Sequence, residues 1–186
     1  MTHHLIATRS PRSGNAALAS GALVQAAVGA EFVLAGLNKV VNPNYAEQFA
    51  GFVTGSPGAS AGPLAPLIQG LVVPHLGVAA ELSRWTELAG GAMLLITAVE
   101  VLRRRLAAPL GSQHAYEPVA ALLSAVAAFV LGGMSLAIYL LQGGQLPTIN
   151  PGYAFSSPIA VELLLVPLAF GIAWLEFGRF RALRRA

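Results

Sequence analysis

The sequence predicts an all-α integral membrane protein: a four-helix bundle carrying short helices on its outer face between helices one and two. Three observations predict it. Only 10% of the 186 residues are charged and 55% are apolar, against about 25% charged in an ordinary soluble domain, so a water-soluble surface could not be clothed. Four apolar stretches are each long enough for the roughly 20 residues that cross a bilayer's hydrocarbon. Nine of the eleven Lys and Arg residues flank those stretches at alternate connections, as a chain threaded back and forth through a membrane requires.

The first stretch, 16–41, follows Arg9 and Arg12 and ends at Asn42-Pro43-Asn44, because proline and the residue before it resist the helical conformation. Glu31 lies inside the stretch and no small-x-small site follows its outer end, so it is read as a retained span. Next comes 45–53, a short amphipathic helix with Tyr45, Phe49, Phe52 and Val53 on one side and Glu47 with Gln48 on the other. The 55–62 stretch reads as a flexible linker. The apolar segment 63–73, ended by Pro74, is too short to span and should lie in the membrane interface or fold back over the bundle as a cap.

The second span, 76–102, carries Glu81, Arg84 and Glu87 in its first half and ends in Arg103, Arg104 and Arg105. The third, 118–141, has no charged residue at all, which a buried helix of a soluble protein would rarely match. The fourth, 158–177, carries Glu162 near its start and is followed by Arg179, Arg181, Arg184 and Arg185. Connections 42–75 and 142–157 contain no Lys or Arg. The positive-inside rule therefore puts both termini and the 103–117 loop in the cytoplasm and the other two loops outside. Residues 1–15 form a cytoplasmic segment, 16–177 one transmembrane domain, and 178–186 a basic cytoplasmic tail.

Composition narrows the function. The net charge of +3 is spread over three cytoplasmic rims, which suits contact with anionic lipid and lacks the motifs of a nucleic-acid binder. With no Cys in the sequence, disulfides, thiolate catalysis and thiolate-bound metals or clusters are excluded. His3, His4, His75 and His114 have no metal-ligand spacing on a helix, so no metal site is expected.

Charges inside the apolar spans remain: Glu31, Lys39, Glu81, Arg84, Glu87 and Glu162. Insertion of such a group costs on the order of 2.5–3.5 kcal/mol for Lys, Arg or Asp at a helix centre, and these groups usually face protein or water and pair. At 100° per residue, Gly29, Phe32, Gly36 and Lys39 share a face; Glu87 shares one with Gly90, Gly91 and Ala98, and Glu162 with Ala169 and Ala173. Small residues mark helix contacts in membranes, so Lys39, Glu87 and Glu162 should point into the bundle. Trp85 falls on the other side as an interfacial anchor. Two positive and four negative charges lie in the spans, all but the deeper Glu31 in the outer half, so at least one glutamate, Glu31 or Glu87, is expected neutral at pH 7. A purely structural reading stands beside this one: Arg84 is three residues from both Glu81 and Glu87 and could be an ionic staple. Glu100 with Arg103 and Arg104, and Glu176 with Arg179, read as rim pairs.

Gly29-x-x-Phe32-x-x-x-Gly36-x-x-Lys39 followed by Asn42-Pro43 resembles the first-helix motif of DoxX-type membrane proteins. Gly62-Pro63-Leu64-Ala65-Pro66-Leu67, then Val72-Val73-Pro74-His75, then Glu87-Leu88-Ala89-Gly90-Gly91, is similar to the DoxD small subunit of thiosulfate:quinone oxidoreductase. Glu162-Leu163-Leu164 and Gly178-Arg179 resemble the fourth helix and its end, and Gln25 stands where many relatives carry an arginine. The resemblance implies a four-helix membrane subunit of a quinone-linked oxidoreductase, with no covalent cofactor, a quinone between helices, and partner subunits that bring the electrons. It makes Glu87, Glu31 and Glu162 the candidate proton-handling residues, and Lys39, Arg84, Glu81 and His75 the candidate substrate- or quinone-binding ones. The alternative is a non-catalytic subunit that stabilises a larger membrane complex. A proton-coupled transporter is disfavoured, because the sequence has no internal repeat and no pair of broken helices.

Overall fold

Four long helices dominate the computed structural model, which describes residues 11–106, 116–147 and 159–185. In chain order they are α1 (Pro11–Val41), α5 (Leu76–Leu106), α6 (Glu117–Leu141) and α7 (Val161–Leu183). All four are long and apolar enough to cross a membrane, the pattern of a multi-pass membrane protein. No strand occurs among the described residues. Their apolar surface is turned outward: Leu23, Leu34, Ile96, Phe129, Trp174 and Leu175 are each 60% exposed or more, which hydrocarbon tolerates and water would not.

Small residues set the packing. Gly29 and Gly91 meet where α1 crosses α5, and a Cβ on Gly91 would sit 2.8 Å from the Gly29 carbonyl oxygen. One turn or two further along, a Cβ on Gly36 would sit 2.7 Å from the Leu88 nitrogen. Gly132 of α6 abuts Ala169 of α7 in the same manner, and Gly90 receives Leu131 of α6. Val28, Phe32, Leu94, Ala128, Leu131, Ile172 and Ala173 fill the space between the four helices. The expected faces of α1 and α5 are therefore the ones buried.

The α1–α5 connection caps one end of the bundle. It contains α2 (Tyr45–Gly55), α3 (Pro57–Ala61) and α4 (Ala65–Leu67). Asn42 accepts the Asn44 amide at 3.0 Å on its side chain and turns the chain out of α1. The amphipathic reading of α2 holds for Tyr45 and Val53, which are buried, with Phe49 half-buried. Two readings change. Part of the 55–62 stretch is helical, because Pro57 can start a helix at its first position and Ser56 precedes it in extended conformation. Pro74 does not end its segment: α4 passes through a π-helical turn (Ile68–Val72) and a tight 3₁₀ turn (Val73–His75) straight into α5. Proline removes one amide and crowds the carbonyl four residues back, and the altered turn widths absorb that defect without breaking the helix. The 63–73 segment thus prolongs α5 by way of Ile68, which packs on Val53, Ala59 and Leu141.

The opposite end carries the arginines. Arg103 grips Glu100 with two bonds of 2.8 Å, and Arg179 holds Glu176 at 3.0 Å, so both rim pairs form, although Glu176 is buried. Arg9, His3, His4, His114, residues 148–158 of the second loop, and the side chains of Arg12, Arg104 and Arg105 lie outside the described residues.

Candidate functional site

Close approach of α1 and α5 brings Lys39 onto Glu87. With no side chain on Gly36 or Gly91, the two backbones nearly touch, and the Lys39 ammonium donates to Glu87 Oε1 across the seam. Glu87 is 2% exposed and its Oε2 has no hydrogen-bond partner, whereas the Lys39 side chain is a quarter exposed. The ammonium lies 6.0 Å from the centre of the Tyr45 ring, within reach of a cation–π attraction.

Tyr45 starts α2, which places its ring under the cap. Its hydroxyl is buried and makes no hydrogen bond of ordinary geometry, although the Ser83 side chain lies close enough to act on it. Burial pushes the phenol above the ordinary tyrosine range, and the negative charges of Glu87 and Glu81 add to that against Ser83 and Arg84. A buried hydroxyl with no partner is uncommon and asks for a bound group or water. Tyr45 appeared in the sequence only as part of an apolar face, so its polar end was missed.

Beside this pair a cavity of about 810 Å³ opens beneath α2, between the α1–α5 pair and the α6–α7 pair. Its walls are mostly apolar, from Phe49, Phe52, Leu82, Val130, Met134 and Ile138, and its polar edge is made by Asn38, Lys39, Asn42, Gln142 and Glu162. Gln142 donates to Glu162 at 3.2 Å. Asn42 donates to Gln48 of α2 at 2.9 Å, tying the cap to the end of α1.

The other expected residues are not in this group. Arg84 bonds Glu81 at 2.5 Å and lies 5.7 Å from the Trp85 ring, while Trp85 donates to Glu81 at 3.2 Å. These three form a cluster outside the cavity lining, and Arg84 pairs with Glu81 alone of its two acidic neighbours, so a three-member staple does not form. Glu31 is exposed on α1 and His75 is exposed on its 3₁₀ turn; neither lines the cavity. The direction of a helical residue is set by which neighbour its helix acquires, and α1 turns the Gly29–Gly36 face to α5, leaving Glu31 near its back.

A second polar group lies deeper. Gln25 is buried and donates to Thr97 at 2.6 Å, Ser124 at 3.0 Å and the Leu94 carbonyl at 3.2 Å, joining α1, α5 and α6. Thr97 also bonds Ser124 at 3.1 Å. Among the described residues, no group of three or more His, Asp or Glu is arranged to hold a metal ion. Compared with protein-family models, with curated proteins and with solved structures, the chain matches none of them.

Proposed function

We propose that this chain is a DoxX/DoxD-like subunit of a quinone-linked oxidoreductase of the cell membrane, with both termini cytoplasmic, and that the cavity beneath α2 holds the quinone. The observation that carries the reading is the cavity itself: about 810 Å³ of mostly apolar space with Lys39 at its wall, paired to the buried Glu87 behind it. That volume lies in the range of small-molecule sites, roughly 300–1,000 Å³, and few polar groups in an apolar pocket suit a lipid-soluble ring with carbonyl oxygens.

The residues present fit such a ring. Lys39 offers ammonium protons to a carbonyl oxygen, the Tyr45 hydroxyl lacks a partner, and Glu87 keeps one carboxylate oxygen unbonded in a dry site. Bound quinone would supply the acceptor for two electrons and two protons. Glu87 would hold a proton beside it, and Lys39 would orient the ring and keep that carboxylate folded into the protein. Glu162 stands at the cavity rim, where it would exchange protons with water, whereas Glu31 stands on the outside of α1 away from the cavity. Electrons must come from a partner subunit, since the chain has no Cys to ligate a cluster.

Purification from its native membrane in gentle detergent tests this. The expected result is co-purifying quinone, a cofactor-bearing partner protein, and thiosulfate-driven quinone reduction by the complex that Glu87→Gln abolishes while assembly persists. A complex with full activity after Glu87→Gln, and no quinone on the purified chain, would leave a non-catalytic assembly subunit as the account.

A further inference from the structure

The cavity has two unlike edges, and helical phase separates them. On α5, Gly91 faces α1 and Gly90 faces α6; Leu82 lies about 80° beyond Gly90 at 100° per residue, past the α5–α6 seam. On α6, Leu131 seats on Gly90 and Gly132 on α7, so Val130 turns to the side away from α7, toward the same seam. Leu82 is 63% exposed and Val130 45% exposed, yet both line the cavity. They therefore mark a place where it opens between α5 and α6 through an apolar rim. Asn38 and Asn42 of α1 lie on the opposite edge with Gln142 and Glu162. Asn38 and Asn42 are one turn apart on α1, so that edge is polar where it meets the cavity.

Charge limits what the cavity can take. Lys39 is its one cationic lining residue among those described, and Glu87 already neutralises it; Glu162 adds a negative charge. A phosphate head would meet no spare positive charge, whereas a neutral carbonyl could use the ammonium and the unpartnered Tyr45 hydroxyl.

Resting on the quinone reading, we propose that the cavity is a lateral portal: a quinone with a single long tail enters from the bilayer between α5 and α6, and its tail stays in the Leu82–Val130 window while its neutral head lies at Lys39 and Tyr45. The polar edge at Asn38, Asn42, Gln142 and Glu162 serves water and protons and takes no tail.

The absence of native cysteine allows the windows to be blocked after folding. Leu82→Cys, Val130→Cys and Asn38→Cys are each purified in detergent, checked by thermal unfolding, and alkylated with a bulky maleimide. Affinity is then measured for a decyl-tailed benzoquinone and for tail-less duroquinone. Blocking at 82 or 130 should weaken the tailed quinone by about tenfold and leave the tail-less one within about twofold; blocking at 38 should not discriminate by tail. Equal losses for both quinones at 82 and 130, or a tail-dependent loss at 38 alone, would overturn the portal while leaving the quinone site standing. Displacement of the tailed quinone by phosphatidylglycerol at equal concentration would overturn the neutral-head assignment. If the unmodified protein binds neither quinone, the functional reading itself fails, before any window is blocked.

Discussion

Gly91→Ala should separate the two helices on which the site depends. The new methyl would lie 2.7 Å from the Val33 nitrogen, 2.8 Å from the Gly29 oxygen and 2.9 Å from the Phe32 Cβ. Comfortable contacts between such atoms are about 3.5–4.0 Å, and two of the three neighbours are backbone, which cannot rotate aside. The helices must therefore part by roughly 0.7 Å or more at the crossing, and overpacking of this kind costs about 1–3 kcal/mol. Glu87 lies one turn away, about 6 Å along α5, so the Lys39–Glu87 bond stretches as well and quinone affinity falls with stability. Gly133→Ala is the control, because a Cβ there meets nothing within 4 Å; it should be neutral or stabilise by up to about 1 kcal/mol through the gain over glycine in a helix. Reversible unfolding in mixed micelles with increasing dodecyl sulfate reads both. Gly29→Ala, with its methyl 2.9 Å from the Leu95 nitrogen, should be destabilising too, and the double variant should lose less than the sum because one contact is counted twice. Equal midpoints for Gly91→Ala and Gly133→Ala would refute the close-packed seam.

Three further outcomes are expected. Lys39→Met should destabilise more than Glu87→Gln, since it strands a buried carboxylate; breaking a buried pair costs on the order of 3–5 kcal/mol, less here because Lys39 is a quarter exposed, and adding Glu87→Leu to Lys39→Met should restore most of the loss in the same unfolding assay. Tyr45 holds its proton more firmly folded than unfolded, so the stability this lends is whole below the ordinary tyrosine value of about 10 and falls as pH rises through the higher folded value; Tyr45→Phe should remove that alkaline loss in unfolding curves from pH 9 to 12, an extent of roughly three units around the titration, and an unchanged slope would show the hydroxyl to be solvated. For orientation, cysteines introduced at Thr54 and Gly144 should react with an impermeant thiol reagent in intact cells and one at Ser112 should not; the reverse pattern would invert the topology.

The α1–α5 seam was legible because it rests on spacing: Gly29, Gly36 and Lys39 recur at helical intervals, as do Glu87, Gly91 and Ala98, and a helix preserves angular order whatever it packs against. The same reasoning turned Glu162 inward, where it lines the cavity, but could not place Glu31, because a carboxylate's phase says which side of its own helix it occupies and nothing about which neighbour stands there. Gln25, Thr97 and Ser124 are too far apart in the chain to form a pattern, so their three-helix bond network became visible only in the fold. Pro74 misled for a local reason: a proline's lost amide can be absorbed by a change of helical width, which the sequence does not announce.

By itself the sequence determined the four apolar helices, their alternation with arginine-bearing ends, and the contact faces marked by small residues. Hydropathy and helical period are properties of the chain alone, and they suffice for these. Only the tertiary structure decided that α5 begins eleven residues earlier in effect, at Ala65 of α4, that Lys39 selects Glu87 while Arg84 keeps Glu81, and that a cavity survives beneath α2. Those depend on how far the two helix pairs diverge, a balance among many distant contacts in which glycines draw α1 onto α5 while the larger side chains of α5 and α6 hold the pairs apart.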